Sequence, residues 1–287
     1  MNAAPWATAL ATVGALVAFA GNSLLTRLAL APPAIDAGTF SVLRLAAGAA
    51  VLALVAWRRE GHWRWLRSGR AVAPLALAAY AVPFTIAYLR IGAATGALVL
   101  FGTVQLTMVG VAIAQGERPR AVTALGLGLA AGGLVAFTRP SAAGTDGVGV
   151  ALMALAGAAW GAYTLLGRGS GPPIVANAFA FTWSVPIALA CAALLPRATP
   201  ATPRGVLLAL ASGAVTSGLG YAVWYRALRG LSATTAAAVQ LAVPMLAALG
   251  GVLLLGESLT PRQLAAGSVV LGGIALVLVG RARPARG

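Results

Sequence analysis

Apolar runs of roughly 20 residues, each long enough to cross a 30 Å hydrocarbon core as a helix, recur along this chain with only short polar breaks between them. The runs predict spans at Trp6 to Leu25, Gly38 to Trp57, Ala71 to Leu89, Gly96 to Gly116, Ala121 to Thr138, Gly147 to Gly167, Pro173 to Leu195, Gly205 to Tyr225, Ser232 to Leu255 and Pro261 to Gly280. Composition points the same way. Sixty per cent of the 287 residues are hydrophobic and nine per cent are charged, against about 25% charged in a soluble domain, so too few charges exist to build a water-facing surface. The expected fold is an all-α membrane protein of ten transmembrane helices. Ala18-Phe19-Ala20 resembles a signal-peptidase site, but no basic residue precedes the apolar stretch, so the first run reads as a retained helix.

The net charge of +15 does not point to nucleic acid, because the 20 basic residues are all arginine and sit at the ends of apolar runs. Such placement is a topology signal. With both termini in the cytoplasm, thirteen arginines fall inside, six fall outside, and Arg44 lies within a span. The positive-inside rule therefore predicts a multi-pass protein of a bacterial cytoplasmic (inner) membrane with both termini cytoplasmic. Arg58, Arg59, Arg64, Arg67 and Arg70, around Trp63 and Trp65, form the strongest such signal and read as a headgroup-level anchor.

The chain matches itself at an offset near 140 residues. Ser23 to Arg27 corresponds to Thr164 to Arg168, Gly116-Glu117 to Gly256-Glu257, and Gly132-Gly133 to Gly272-Gly273. Residues 1–140 and 141–287 thus read as two five-helix repeats. An odd number of helices in each half makes the second enter the membrane from the opposite face, so the repeats are inverted, a common design of secondary transporters.

These residues carry a family resemblance. Trp160-Gly161 in the sixth helix, Arg44 in the second, the Pro244 region of the ninth, and Gly256-Glu257-Ser258-Leu259-Thr260 followed by Gly267 and Gly272 resemble the EamA-type branch of the drug/metabolite transporter superfamily, over essentially the whole chain. The family's Trp-Gly in the first helix is Phe19-Ala20 here, and the fourth helix lacks a counterpart of Pro244. Among members, the chain looks most like bacterial amino-acid exporters, including those of aromatic amino acids. The resemblance implies a cavity lined by helices one to four and six to nine, with helices five and ten packed outside. Helix five contains Gly126, Gly128, Gly132 and Gly133 and helix ten contains Gly267, Gly272 and Gly273, small residues that allow close backbone approach in that outer layer, as in Gly128-x-x-x-Gly132.

No catalytic constellation can be assembled. His62 is the only histidine and lies in the basic loop, Cys191 is a lone cysteine in an apolar run, and Asp36, Glu60, Glu117, Asp146 and Glu257 fall in loops or at helix ends. A nucleophile would need an orienting base and a metal would need clustered ligands. No enzyme activity, metal or cofactor is expected. Nor is an intramembrane carboxylate of the kind that relays protons in coupled carriers.

Candidate substrate contacts are the polar and aromatic residues within spans. Tyr80 and Phe84 share a face of the third helix, Trp160 and Tyr163 of the sixth, and Tyr221 and Trp224 of the eighth. Gln105 and Gln240 lie near mid-membrane, and Asn22 lies toward the end of the first helix. The alternatives are aromatics facing lipid or filling helix contacts, and amides hydrogen-bonding between helices. For Arg44 the family resemblance implies bracing of backbone carbonyls, with carboxylate binding the sharper reading. Pro83 and Pro244, with Pro186, are candidate hinges, and the Gly-Glu pairs at Glu117 and Glu257 candidate braces of helix ends.

The resulting expectation is an alternating-access exporter of small metabolites, foremost neutral or aromatic amino acids. Its partners would be the small-molecule substrate and membrane lipid, not nucleic acid, and a monomer is an admissible state. The other readings are a superfamily carrier of a different metabolite or drug, a membrane-embedded enzyme of envelope chemistry, and a non-transporting assembly subunit.

Overall fold

A computed structural model of the chain describes residues 5–31, 33–67, 69–116, 120–138, 146–167, 172–196, 199–228, 231, 239–240 and 242–281. Among these residues the regular structure is entirely helical. Ten helices follow in order: α1 Pro5–Leu30, α2 Ala37–Glu60, α3 Val72–Ala87, α4 Ala93–Ala114, α5 Ala121–Thr138, α6 Gly147–Gly167, α7 Pro173–Ala193, α8 over 203–228, α9 Ala242–Leu255 and α10 Pro261–Arg281. Helix α8 is interrupted at Ser212–Leu219 by a π-helical segment that the sequence reading did not anticipate.

The stretches Trp6–Leu30, Ala37–Glu60, Ala93–Ala114, Gly147–Gly167, Pro173–Ala193 and Pro203–Ala227 are each long and apolar enough to cross a bilayer alone. The remaining apolar stretches are shorter. Helix α1 runs five residues past its expected end, whereas α3 stops two residues short of Leu89 in a turn at 88–90, and the segment before it holds a 3₁₀ turn at Arg64–Arg67. That turn corrects the anchor reading: Trp63 is 54% exposed, but Trp65 is 2% exposed and joins the main core. The ninth helix was expected from Ser232; residues 232–238 and 241 lie outside the described residues, as does the 140/141 boundary.

Helix ends follow local chemistry. Asp36 accepts the Thr39 N–H at 2.9 Å to cap α2, Asp146 accepts the Gly149 N–H at 2.8 Å before α6, and Thr202 accepts the Gly205 N–H at 3.1 Å before α8. Gly116 and Gly256 end α4 and α9 with left-handed φ of 95° and 64°, a conformation only glycine adopts without steric cost. These two glycines lie 140 residues apart, the offset at which the sequence matches itself.

The packing has a regular exchange relation. Helix α2 lies against α7, α4 against α9 and α5 against α10, while α3–α6 interchanges with α8–α1, and α4–α6 with α9–α1, when each helix is replaced by the one five places away. Helices α5 and α10 form the tightest pair. A Cβ on Gly126 would lie 2.6 Å from the Gly273 carbonyl oxygen, and one on Gly273 would lie 2.7 Å from that of Gly126. The backbones touch there, and not at the expected Gly128 and Gly132, which face open space.

Candidate functional site

Seven helices of the bundle, α1 to α4 and α6 to α8, together with Gln240 just before α9, surround a central cavity of about 550 Å³, within the roughly 300–1,000 Å³ usual for small-molecule sites. Helices α5 and α10 contribute nothing to its wall.

One side is a polar network spanning four helices. Arg44 of α2, 2% exposed, donates from Nη2 to the Tyr80 hydroxyl oxygen of α3 at 2.8 Å. Its guanidinium carbon lies 5.2 Å from the Tyr80 ring centre and 4.7 Å from that of Phe84, a cation–π arrangement. Asn22 of α1 donates to the same Tyr80 oxygen at 3.3 Å, and the Asn22 amide oxygen accepts from Ser212 at 2.7 Å and from Thr216 at 3.4 Å on α8. Within the π segment, Gly213 lets α8 come close to α2, because a Cβ there would collide with the Arg44 carbonyl oxygen. Such segments recur at functional sites.

The rest of the wall is aromatic. Trp160 of α6 sets its ring 4.4 Å from Tyr80 in an edge contact, 5.5 Å from Tyr221 and 6.2 Å from Tyr163. Phe19 meets both Tyr221 and Trp224 edge-on, at 5.7 and 5.8 Å. Gly161, the residue after Trp160, abuts α4, where an added Cβ would meet Thr107 at 3.0 Å. The pair thus works as one unit: the glycine lets α6 close on α4, and the tryptophan occupies the cavity wall. Gln105 and Gln240 complete the lining.

The two ends of the bundle differ. Gly69, Arg70, Leu166, Gly167 and Pro173, at the start of α3 and the junction of α6 and α7, border the cavity and form its mouth. The opposite end is tied shut. Glu257 accepts the Ala93 N–H at the start of α4 at 2.8 Å, and Arg27 at the end of α1 reaches Glu257 at 3.4 Å and the Tyr88 carbonyl oxygen at 2.7 Å. Nearby, Arg90 pairs with Asp146 at 2.8 Å, joining the α3–α4 connection to the start of α6. The partly exposed Asp146 carboxyl is held below its usual range, first by the Gly149 N–H and then by Arg90.

All nine residues picked from the sequence as substrate contacts, Asn22, Tyr80, Phe84, Gln105, Trp160, Tyr163, Tyr221, Trp224 and Gln240, line this one cavity. Arg44 lines it too, hydrogen-bonded to a tyrosine and not bracing backbone carbonyls as expected. Pro83 lies inside α3 away from the cavity, Pro244 borders a separate crevice of about 220 Å³ among α4, α9 and α10, and Pro186 is exposed on α7. Glu257 braces the start of α4, whereas Glu117 lies outside the described residues.

Sequence reasoning missed Asn177. It accepts from the Tyr163 hydroxyl at 2.7 Å and donates to Tyr225 at 2.9 Å. A lone amide one turn inside an apolar run was the available signal. Ser212 and Thr216, four apart on α8, were missed too; each alone is an unremarkable small residue in a membrane helix.

Comparison with known proteins gives three findings. The profile of the EamA-like transporter family matches residues 147–279. The chain is 50% identical over 278 residues to the uncharacterized protein PA1977 of Pseudomonas aeruginosa, covering 96% of this chain and 95% of that one, and 29% identical over 277 residues to the uncharacterized transporter YwfM of Bacillus subtilis, covering 92% and 90%. A solved crystal structure matches over 98% of this chain and 100% of its own, with a TM-score of 0.67 and 19% identity, a likeness of fold.

Proposed function

Because this chain belongs to the EamA-like transporter family of the drug/metabolite transporter superfamily, we propose that it exports small metabolites, foremost neutral or aromatic amino acids, from the bacterial cytoplasm by alternating access. The carrying observation is a single aromatic and amide-lined cavity, open at one end of the bundle and tied shut at the other. Aromatic faces suit an apolar or aromatic side chain, while amides and hydroxyls suit the polar groups of an amino acid.

The arginine distribution supports a mouth on the cytoplasmic side, and on this reading the conformation is the one that loads substrate for export. In this reading residues 1–140 and 141–287 are the inverted repeats. The exchange relation between helix pairs supports it, since near-equivalent halves can swap open and closed ends by rocking about a shared midplane site.

The test is counterflow in sealed liposomes containing only the purified chain and loaded with unlabelled amino acid. Accumulation of external labelled phenylalanine or another neutral amino acid is expected, and none for any amino acid tried would refute the substrate assignment. Among the described residues no carboxylate lines the cavity, so an imposed pH gradient should leave the rate nearly unchanged. Strong acceleration by the gradient would show proton coupling instead.

A further inference from the structure

The cavity is bordered by two guanidinium groups and, among the described residues, by no carboxylate. Arg70 is exposed at the mouth and Arg44 is buried in the wall. The described acids are engaged elsewhere: Asp36 caps α2, Glu257 holds Arg27 and the start of α4, Asp146 pairs with Arg90, and Glu60 sits exposed at the end of α2. Arg44 has no counter-ion among them. Its Nη2 meets Tyr80, but its Nε and Nη1 are buried without any hydrogen-bond partner.

An arginine cannot escape such a site by losing its proton, because its pKa is too high. The flanking Tyr80 and Phe84 rings favour a cation but offer no acceptor to the free N–H groups. A carboxylate brings both the missing charge and two acceptor oxygens, a geometry that the guanidinium fork matches. An ammonium group meets no carboxylate in the described lining, only neutral acceptors such as the amides of Gln105 and Gln240, and aromatic faces. The Asn22 amide oxygen is taken by Ser212 and Thr216, and that of Asn177 by Tyr163.

We propose that Arg44 is the carboxylate-recognising residue of the cavity, and that the solute is selected by its carboxylate and apolar or aromatic remainder more than by its amino group. The proposal rests on the reading of the cavity as a solute site and deepens it.

Full-length protein in phenylalanine-loaded liposomes exchanges external labelled phenylalanine in competition with 3-phenylpropionate, which lacks the amine, and with phenethylamine and phenylalaninamide, which lack the carboxylate. Competition by 3-phenylpropionate, with the other two weaker by about tenfold or more, is the expected result for a charge-assisted contact. Equal competition by phenethylamine or phenylalaninamide overturns the proposal. Arg44→Gln should abolish the preference while Arg44→Lys keeps part of it, with thermal melting as the check of folding. A folded Arg44→Gln protein that keeps the full preference also overturns it, and the wild-type series decides the matter even where Arg44→Gln does not fold. Should no labelled phenylalanine move, the amino-acid assignment fails by itself. Quenching of intrinsic tryptophan fluorescence by 3-phenylpropionate and phenethylamine then tests Arg44 separately: a response to the carboxylate alone supports it, and an equal response or none overturns it.

Discussion

The carboxylate of Glu257, just before α10, accepts the backbone N–H of Ala93 at 2.8 Å and so caps α4, a helix from the other half of the chain. The first N–H groups of a helix have no partner within it and carry a partial positive charge, so a carboxylate there is doubly favoured. Arg27 completes the tie at 3.4 Å. Three helix ends are thereby gathered at the closed end of the cavity.

Replacing Glu257 by Gln keeps the shape and removes the charge, weakening that closure. Loss of a helix cap costs about 0.5–2 kcal/mol, roughly a two- to thirtyfold shift toward the opened form. In a Cys191→Ala background, an Ala97→Cys probe, buried in the native packing, should react correspondingly faster with an impermeant maleimide added from the closed side. Unchanged labelling would show that closure does not depend on this carboxylate.

Truncating the cavity wall should impair transport without unfolding the protein. Trp160 contacts three other rings across the cavity wall, and Gln105 lies on the facing helix α4. Trp160→Ala and Gln105→Ala are each expected to slow counterflow at saturating protein yield, Trp160→Ala by about tenfold or more, in keeping with the energy that aromatic contacts carry. Full activity in both would remove the cavity from the transport path.

The α5–α10 contact predicts an asymmetry between neighbouring glycines. Gly126→Val drives side-chain atoms into the Gly273 carbonyl oxygen, an overpacking that costs about 1–3 kcal/mol and should lower the melting temperature by several degrees. Gly128→Ala, with nothing near its new methyl group, should leave stability unchanged or slightly raised. A reversed order of the two would contradict the packing described.

The Arg90–Asp146 tie has a signed dependence on pH. Because the folded state holds the Asp146 carboxyl below its ordinary value, its contribution is complete above the unfolded pKa, about 3.9, and disappears as pH falls through the lower folded value. The difference in melting temperature between wild type and Asp146→Asn should therefore be constant near neutrality and shrink only in strong acid. Both side chains are exposed enough that the difference itself should be small.

Much of the site was legible in the sequence because membrane helices expose their exceptions. In a run of alanine, leucine and glycine, an amide or tyrosine at mid-depth has no solvent to satisfy it, and Tyr80, Gln105, Trp160 and Gln240 stand out for that reason. Ser212 and Thr216 did not, since short hydroxyl side chains are satisfied by their own helix, as Thr216 is by the Ser212 carbonyl oxygen at 2.6 Å. Gly126 and Gly128 stand out equally in the sequence, because spacing identifies small residues but not the face of the helix that meets a neighbour.

The sequence by itself determined that the chain is a bundle of apolar helices, where most of those helices lie, and which polar side chains they bury, because hydropathy and helical periodicity are properties of local segments. Tertiary structure alone decided that Arg44 faces Tyr80 and Phe84 with no counter-ion among the described residues, that Ser212 in the π segment of α8 meets Asn22, and that Glu257 closes one end by capping a helix more than 160 residues away. Those relations depend on which faces of distant helices meet and at what depth, and no local pattern of residues encodes a meeting between segments so far apart in the chain.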